Sequence, residues 1–342
     1  MPKFNKVYIS NWELRAPSVA HGADLAAMIH SPQPIPFRSE QGRSVRLETA
    51  EALVSSESPF YPRRADLKTM RAETVCAVDA SAEMLSRVDL SESQREETSL
   101  YSSTSLSHGQ TQKDIDDILV NLEESLQFSK ADRNQLLMRK LHPLFGLKAL
   151  TNAAESFVAQ HTGVRGENAT FGDTALAGYE ALLASSWDLE ESRTEHSLCL
   201  GTNCGGLYSL FALESYCAER FPKVSTLRES SAAAVLLLSS TPSEWRLLEL
   251  SREKPEGTFD HVFSSSVYNE EAKEKFLSDW GNSNSKCHSS FDSWGSFGAA
   301  SVQFSIISAL STSQENSKPQ RVLIVEEDLY SQRCFIVLER TS

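Results

Sequence analysis

Apolar positions along this chain have two textures. Through its first part, short apolar runs are separated by polar and proline-bearing stretches. Lys6 to Ser10, KVYIS, reads as a short strand and Gly22 to Ile29 as a helix. The next forty residues, with Pro32, Pro34, Pro36, Pro59 and Pro62, read as largely irregular. Leu67, Met70, Val75, Val78 and Met84 then recur near helical spacing and predict a helix over Ala72 to Leu85. A strand at Thr98 to Ser103, a Ser/Gln/His loop up to Gln112 and a helix at Ile115 to Leu126 follow. From Pro143 to Gly178 the pattern gives an amphipathic helix, a Gly-rich turn, a short strand and a sharp entry into a buried helix.

Beyond Gly178, buried strands and helices alternate. Strands are expected at Ser197 to Gly201 and Ala232 to Ser240, the latter apolar on both faces, and at Trp245 to Leu250, which should pair with it across the Thr241-Pro242 turn. Further strands are expected at His261 to Ser264, Val322 to Glu326 and Cys334 to Leu338. Helices are expected at Leu207 to Arg220, Glu270 to Trp280 and Gly298 to Leu310. Interleaving of this kind predicts a layered α/β architecture with covered sheets.

Composition adds bounds. With 342 residues and 40% hydrophobic content, the chain can form one large domain or two intimately packed halves. A formal charge of -13 argues against nucleic acid or an anionic membrane as main partner. The opening MPKFNKVYISNWEL lacks a secretory apolar run, and six scattered cysteines form no pairing framework, so a cytoplasmic location is expected.

Residue types alone name no activity. Cys199 and Cys204 lack a second ligand pair, which disfavours structural zinc. GTNCGG at 201–206 lacks the Lys-Ser/Thr of a P-loop and reads as a tight strand-to-helix turn. No G-x-S-x-G elbow is present. Cys287-His288 is either a displaced thiolate and imidazole pair or a plain loop. A nucleophile is often held where a strand turns sharply into a helix, and here that corner reads Gly172, Asp173, Thr174, Ala175, Leu176, with no cysteine.

Several ordered landmarks resemble the β-ketoacyl synthase family of the thiolase fold. Pro143 and Phe145, Asn152, Gly163 to Gly166, Ala169 to Phe171, and Asp173 to Gly178 match the family's Pro-aromatic segment, helix Asn, G-x-x-G turn, strand and T-A-C-x-S-G corner without a gap. VYISNWELRAPSVAHG, HSLCLGTNCGG and RESSAAAVLLLSS extend the likeness over most of the chain. The resemblance implies a thiolase-like layered α-β-α-β-α architecture of two similar halves, expected near 1–195 and 196–342.

It also locates the catalytic positions, and none carries the family's group. The nucleophilic cysteine falls at Ala175, the first histidine at Ser265, the second histidine at Gly295 and the lysine at Ser290. A nucleophile-free relative of this kind resembles the chain-length factor, or ketosynthase β subunit, of type II polyketide synthases. Its usual glutamine is Ala175 here. The resemblance implies a non-catalytic subunit without cofactor or metal, partnered by an active ketosynthase and an acyl carrier protein, for an aromatic polyketide or an aryl polyene. Asn168, Ala169, Thr170 and Phe171 would pair across the dimer axis, and Phe145 would line the tunnel. The alternative is an autonomous condensing enzyme or hydrolase of acyl thioesters with a displaced Cys/His site, for which His261 and His288 lie in the expected regions.

Overall fold

The strand Ala232–Ser239 shows how the core is built: all eight residues are buried, and alternate side chains enter different clusters. Ala233, Val235 and Leu237 pack on one face with Ala77, Val78, Met84 and Leu85, while Ala234, Leu236 and Leu238 join Leu182, Val302 and Ile306 on the other. A strand covered twice needs helices on both sides, and the rest of the fold supplies them.

The computed structural model describes residues 2–30, 34–42, 45–105, 128–130, 132, 135, 150–172, 174–205, 214, 226–281, 285–312, 320–328 and 331–341. In chain order its strands are β1 (Tyr8–Arg15), β2 (Arg38–Gln41), β3 (Arg46–Ala50), β4 (Ser99–Thr104), β5 (Asn168–Gly172), β6 (His196–Asn203), β7 (Thr226–Ser230), β8 (Ala232–Ser239), β9 (Trp245–Ser251), β10 (His261–Ser264), β11 (Lys286–Ser289), β12 (Arg321–Glu327) and β13 (Arg333–Arg340). The helices are α1 (Leu25–His30), α2 (Ala72–Ser86), α3 (Glu92–Glu97), α4 (Ala153–Thr162), α5 (Ala175–Glu190), α6 (Glu270–Trp280) and α7 (Ser301–Thr312), with a 3-10 turn at Gly298–Ala300 leading into α7. The expected helix at 115–126 and Phe145 lie outside the described residues, as does the expected helix at 207–220 apart from Glu214.

Ten strands run in the order β11-β10-β12-β13-β9-β1-β8-β6-β4-β5. From either end the pairing is the same: two parallel pairs, then two antiparallel ones. The two sets of five meet where Tyr8 and Ile9 pair with Arg246 and Trp245. In each set a buried helix links an edge strand to the third strand, α5 between β5 and β6, and α7 between β11 and β12. Helices α5 and α7 form the middle layer. Helices α2 and α4 cover the outer face of one set, and Phe276 and Trp280 of α6 cover Leu323, Val325, Phe335 and Val337 of the other. Five layers of two similar halves result.

The strand order places β6 and β8 in one set with β1, β4 and β5. It also corrects the expected β8–β9 hairpin. Strand β1 enters between them, pairing with β8 from Tyr8 to Arg15. A second, three-stranded sheet, β2-β3-β7, has no signature in the apolar pattern: β2 is RSEQ and fully exposed. It forms through backbone pairing with β3, which in turn runs parallel to β7 over five residues.

Where β1 meets α2 the core holds charge. Arg15 is 1% exposed; its Nε donates to Asp79 at 2.7 Å, and its Nη atoms reach Glu13 at 3.0 Å and Glu83. Glu13 also receives Arg87 at 2.7 Å and the backbone N–H of Leu14 at 2.9 Å and of Gly22. Burial acts to lower the Arg15 pKa, but the surrounding carboxylates outweigh it and raise the value. Removing one member of such a buried network leaves the others uncompensated. Arg15→Ala is expected to lose about 3–5 kcal/mol of stability in urea unfolding; a loss under about 1 kcal/mol would mean that water already compensates these carboxylates.

Candidate functional site

The two middle-layer helices begin at the same place between the halves. Ala175 opens α5 and is 1% exposed. One turn on, a Cβ added to Gly178 would stand 2.9 Å from Gln303 Oε1 and 3.0 Å from the Ala299 carbonyl, so α5 lies directly against the turn that starts α7. Ser103 Oγ, at the end of β4, also donates to Ala299 O at 2.8 Å.

Three of the four expected positions join one hydrogen-bonded unit. Ser265 follows β10; its carbonyl accepts from Phe297 N and Ser301 Oγ, both at 2.9 Å, and its hydroxyl meets Ser305 Oγ at 2.7 Å. Ser290 N donates to Ser264 O at 3.1 Å, and Ser290 Oγ donates to Gly295 O at 2.6 Å. Ala175 stands apart from this unit, on the neighbouring helix.

Gly295 has φ +75, and a Cβ there would lie 2.5 Å from both Arg228 Cγ and Arg228 O. Both the left-handed backbone and the lack of space disfavour a side chain, histidine included. Strand β7 is held against this turn by Ser296 N to Arg228 O at 3.0 Å, Ser230 N to Ser296 O at 2.9 Å and Ser230 Oγ to Trp294 O at 2.6 Å. The Arg228 guanidinium also bonds Glu48 and the carbonyls of Phe291 and Asp292.

Beneath Ser265 lies a group the sequence reading missed. Glu326, 0% exposed, accepts from Ser265 N at 3.0 Å, Ser266 N at 2.8 Å, Ser264 Oγ at 3.4 Å and Ser305 Oγ. Burial pushes its carboxyl up to about 7 against these stabilising donors. The signal was its phase: Val322 and Ile324 face the inner cluster, so Glu326 continues that face of β12.

The displaced Cys/His pair is not assembled. Cys287 and His288 are successive residues of β11 and point to opposite faces. Cys287 packs against the outer cluster under α6, whereas His288 stacks on Phe263 at 4.4 Å and 10°. His288 Nε2 meets His261 Nδ1 at 3.0 Å. Burial lowers the His261 pKa, helped by Lys286. Each described cysteine thiol is raised by desolvation, Cys76 and Cys199 to about 12, and Cys204, Cys287 and Cys334 in the same direction. Among the described residues no group of three or more His, Cys, Asp or Glu is placed to hold a metal, and no helix is long and apolar enough to cross a membrane.

Asn168 to Phe171 lie in β5, at the end of the sheet. Ala169 and Phe171 pack toward the inner cluster, and Thr170 Oγ1 bonds Ser102 at 2.9 Å and Glu155 on the outer side. Leu100 N donates to Glu167 O at 2.9 Å, so alternation along a parallel strand turns the backbone groups of Asn168, Thr170 and Gly172 to the open edge.

Five layers, twin five-stranded sets and two helix starts meeting between them define the thiolase-like fold of the ketosynthases. Solved structures agree across the whole chain. The ishigamide ketosynthase/chain length factor is 13% identical with TM-score 0.73, covering 98% of this chain and 99% of its own. A type II polyketide synthase acyl-carrier protein in complex with its ketosynthase, bound to the hexaketide, gives 14% and 0.68, with 100% of both chains covered. A ketosynthase in complex with its chain length factor from Xenorhabdus doucetiae gives 12% and 0.68, covering 99% and 98%. No protein-family model and no curated protein matches the sequence.

The buried carboxyl sets a pH dependence. Its folded pKa lies above its unfolded value of 4.5, so the protonated form favours the folded state; that contribution is complete below about 4.5 and is lost as pH rises through about 7. Glu326→Gln is expected to remove up to about 3 kcal/mol of the stability difference between pH 5 and pH 8, read by urea unfolding at both. Parallel profiles for the two proteins would show that Glu326 does not titrate in this range.

Proposed function

We propose that this chain is a non-catalytic chain-length factor. It pairs with an active ketosynthase of a type II polyketide synthase and shapes the tunnel in which an acyl-carrier-protein-bound polyketide grows, toward an aromatic polyketide or an aryl polyene. The observation that carries the reading is Gly295: the fold is kept around a histidine position that the Arg228 backbone fills. Ala175, Ser265 and Ser290 support it, since none supplies a thiolate, an imidazole or an ammonium. Their neighbours are ordered hydrogen bonds, as expected of a scaffold and not of a site awaiting a displaced nucleophile.

The partner would add to the open edge of β5 through Asn168 and Thr170, with Ala169 and Phe171 anchoring the strand from within. Such pairing would bring the start of α5 beside the partner's own corner. Phe145 would stand in the tunnel wall, where a bulky ring limits chain growth sterically.

Co-expression with a cysteine-bearing ketosynthase from the same gene neighbourhood should give a stable complex, and labelled malonyl or acyl carrier protein should load the partner alone. Covalent loading of the isolated chain would overturn the reading. Thr170→Pro, which removes an outward N–H, should abolish co-purification while Thr170→Ala retains it; equal retention by both would exclude β5 as the joining strand.

A further inference from the structure

Beside Ser265 and Ser290, between the inner face of β10 and β11 and the helices α1 and α7, lies a cavity of about 280 Å³. One side chain of its wall lacks a partner. Ser308 of α7 lines the cavity and is 4% exposed, and its hydroxyl makes no hydrogen bond. A buried hydroxyl left unpaired costs free energy, so such a group in a folded protein points to something that joins it.

Its neighbours on α7 show the contrast. Ser311 Oγ and Thr312 Oγ1 each donate to the carbonyl four residues back, Ile307 O at 2.8 Å and Ser308 O at 2.7 Å. Ser308 makes no such bond to Phe304 O, so its hydroxyl is not spent on the helix. Phe304 lies one turn earlier and lines the same cavity, which puts both side chains on the helix face turned toward it. The rest of the wall is fixed in advance. Trp294 Nε1 donates to Pro17 O at 3.0 Å, and the Trp294 ring packs edge-on against Phe304 at 5.5 Å. His288 also borders the cavity, but its ring stacks with Phe263 and His261 and its Nε2 meets His261 Nδ1, so it serves as wall and not as a ligand partner. A wall of this kind needs little reordering on binding, which lowers the entropy cost.

Charge and size narrow the occupant. Among the described residues no lysine or arginine lines the cavity, and its carboxylate, Asp292, is bonded to Lys273 at 2.7 Å. An anion would therefore meet Asp292 without a cation of its own, at the cost of burying an unpaired charge. Water could fill the space with roughly nine molecules at liquid density, but Ile29, Trp294 and Phe304 offer such waters few partners. An apolar cavity of about 150 Å³ holds benzene, so this larger one accommodates a body of roughly ten heavy atoms. An apolar body carrying one acceptor oxygen satisfies the rings and the Ser308 hydroxyl together.

We propose that this cavity binds a small, uncharged, largely apolar molecule through a carbonyl oxygen that accepts from Ser308 Oγ. The site is built from this chain alone, so it does not rest on the chain-length-factor reading. The test is a calorimetric titration of the full-length protein, alone or in its complex, with 2-octanone. Saturable binding with Kd below about 1 mM is expected, as suits a ligand of this size, with octanoate at least tenfold weaker. Ser308→Ala should weaken 2-octanone about fivefold, the worth of one neutral hydrogen bond. The thermal midpoint of the unliganded Ser308→Ala protein should not fall, since the change removes an unpaired hydroxyl and no contact. Ser308→Leu, which fills the space, should abolish binding with an unchanged circular dichroism spectrum. Heats of dilution alone, as from a cavity that holds only water, would overturn the proposal. So would equal affinity for octanoate, or full affinity in Ser308→Ala, whatever the outcome of the partner experiment.

Discussion

The close approach of α5 and α7, between two sheets and out of reach of water, is the constraint on which this structure depends. Two helices can share that layer only if their facing surfaces are small and every polar atom brought inside has somewhere to go. Gly178 of α5 meets the first demand, and Gly201 of β6 leaves room for the same α7 side chain: at both, an added Cβ would collide with Gln303. Two serines of α7 answer the second. Ser301 and Ser305, one turn apart, turn their hydroxyls to Ser265 and Glu326. The packing of the middle layer and the wiring of the candidate site are thus one arrangement.

That arrangement bears on what the corner between the halves can hold while the shape stays. In a site built around a nucleophile, reactive groups and structural hydrogen bonds compete for the same few positions. Here structural bonds hold Ser265, Ser290 and Gly295. Backbone and hydroxyl groups of Ser264 to Ser266 engage Glu326, Ser290 closes on the carbonyl of Gly295, and Arg228 occupies the volume above it. The small sheet matters in this respect, because β7 supplies Arg228 and Ser230 to the same turn.

Much of the layered core could be read from apolar phase alone: β8, β12 and α7 are buried over nearly their whole length and announce it. What failed to show was whatever depends on pairing. The β8–β9 hairpin looked natural because a proline turn joins two strands, yet nothing local can tell that β1, more than two hundred residues earlier, takes the place between them. The polar strand β2 exists through its register with β3, and its residues carry no preference that would reveal it. Within the site, the resemblance gave the positions of Ser265, Ser290 and Gly295. It could not show the φ and the close approach of Arg228 that favour a glycine there. Glu326 closes the expected strand Val322 to Glu326, and its phase places it on the inner face.

The internal duplication gives the chain two sheet ends, β5 and β11. A protein with two equally receptive ends, related by rotation but not by closed symmetry, can add copies without limit and grow into a fibre. The two ends differ. Strand β11 has four residues against five, begins with an exposed lysine, and has its inner face taken up by the stacked rings of His288 and Phe263. The two rims of the sheet are therefore unlike, which works against equal receptiveness at both.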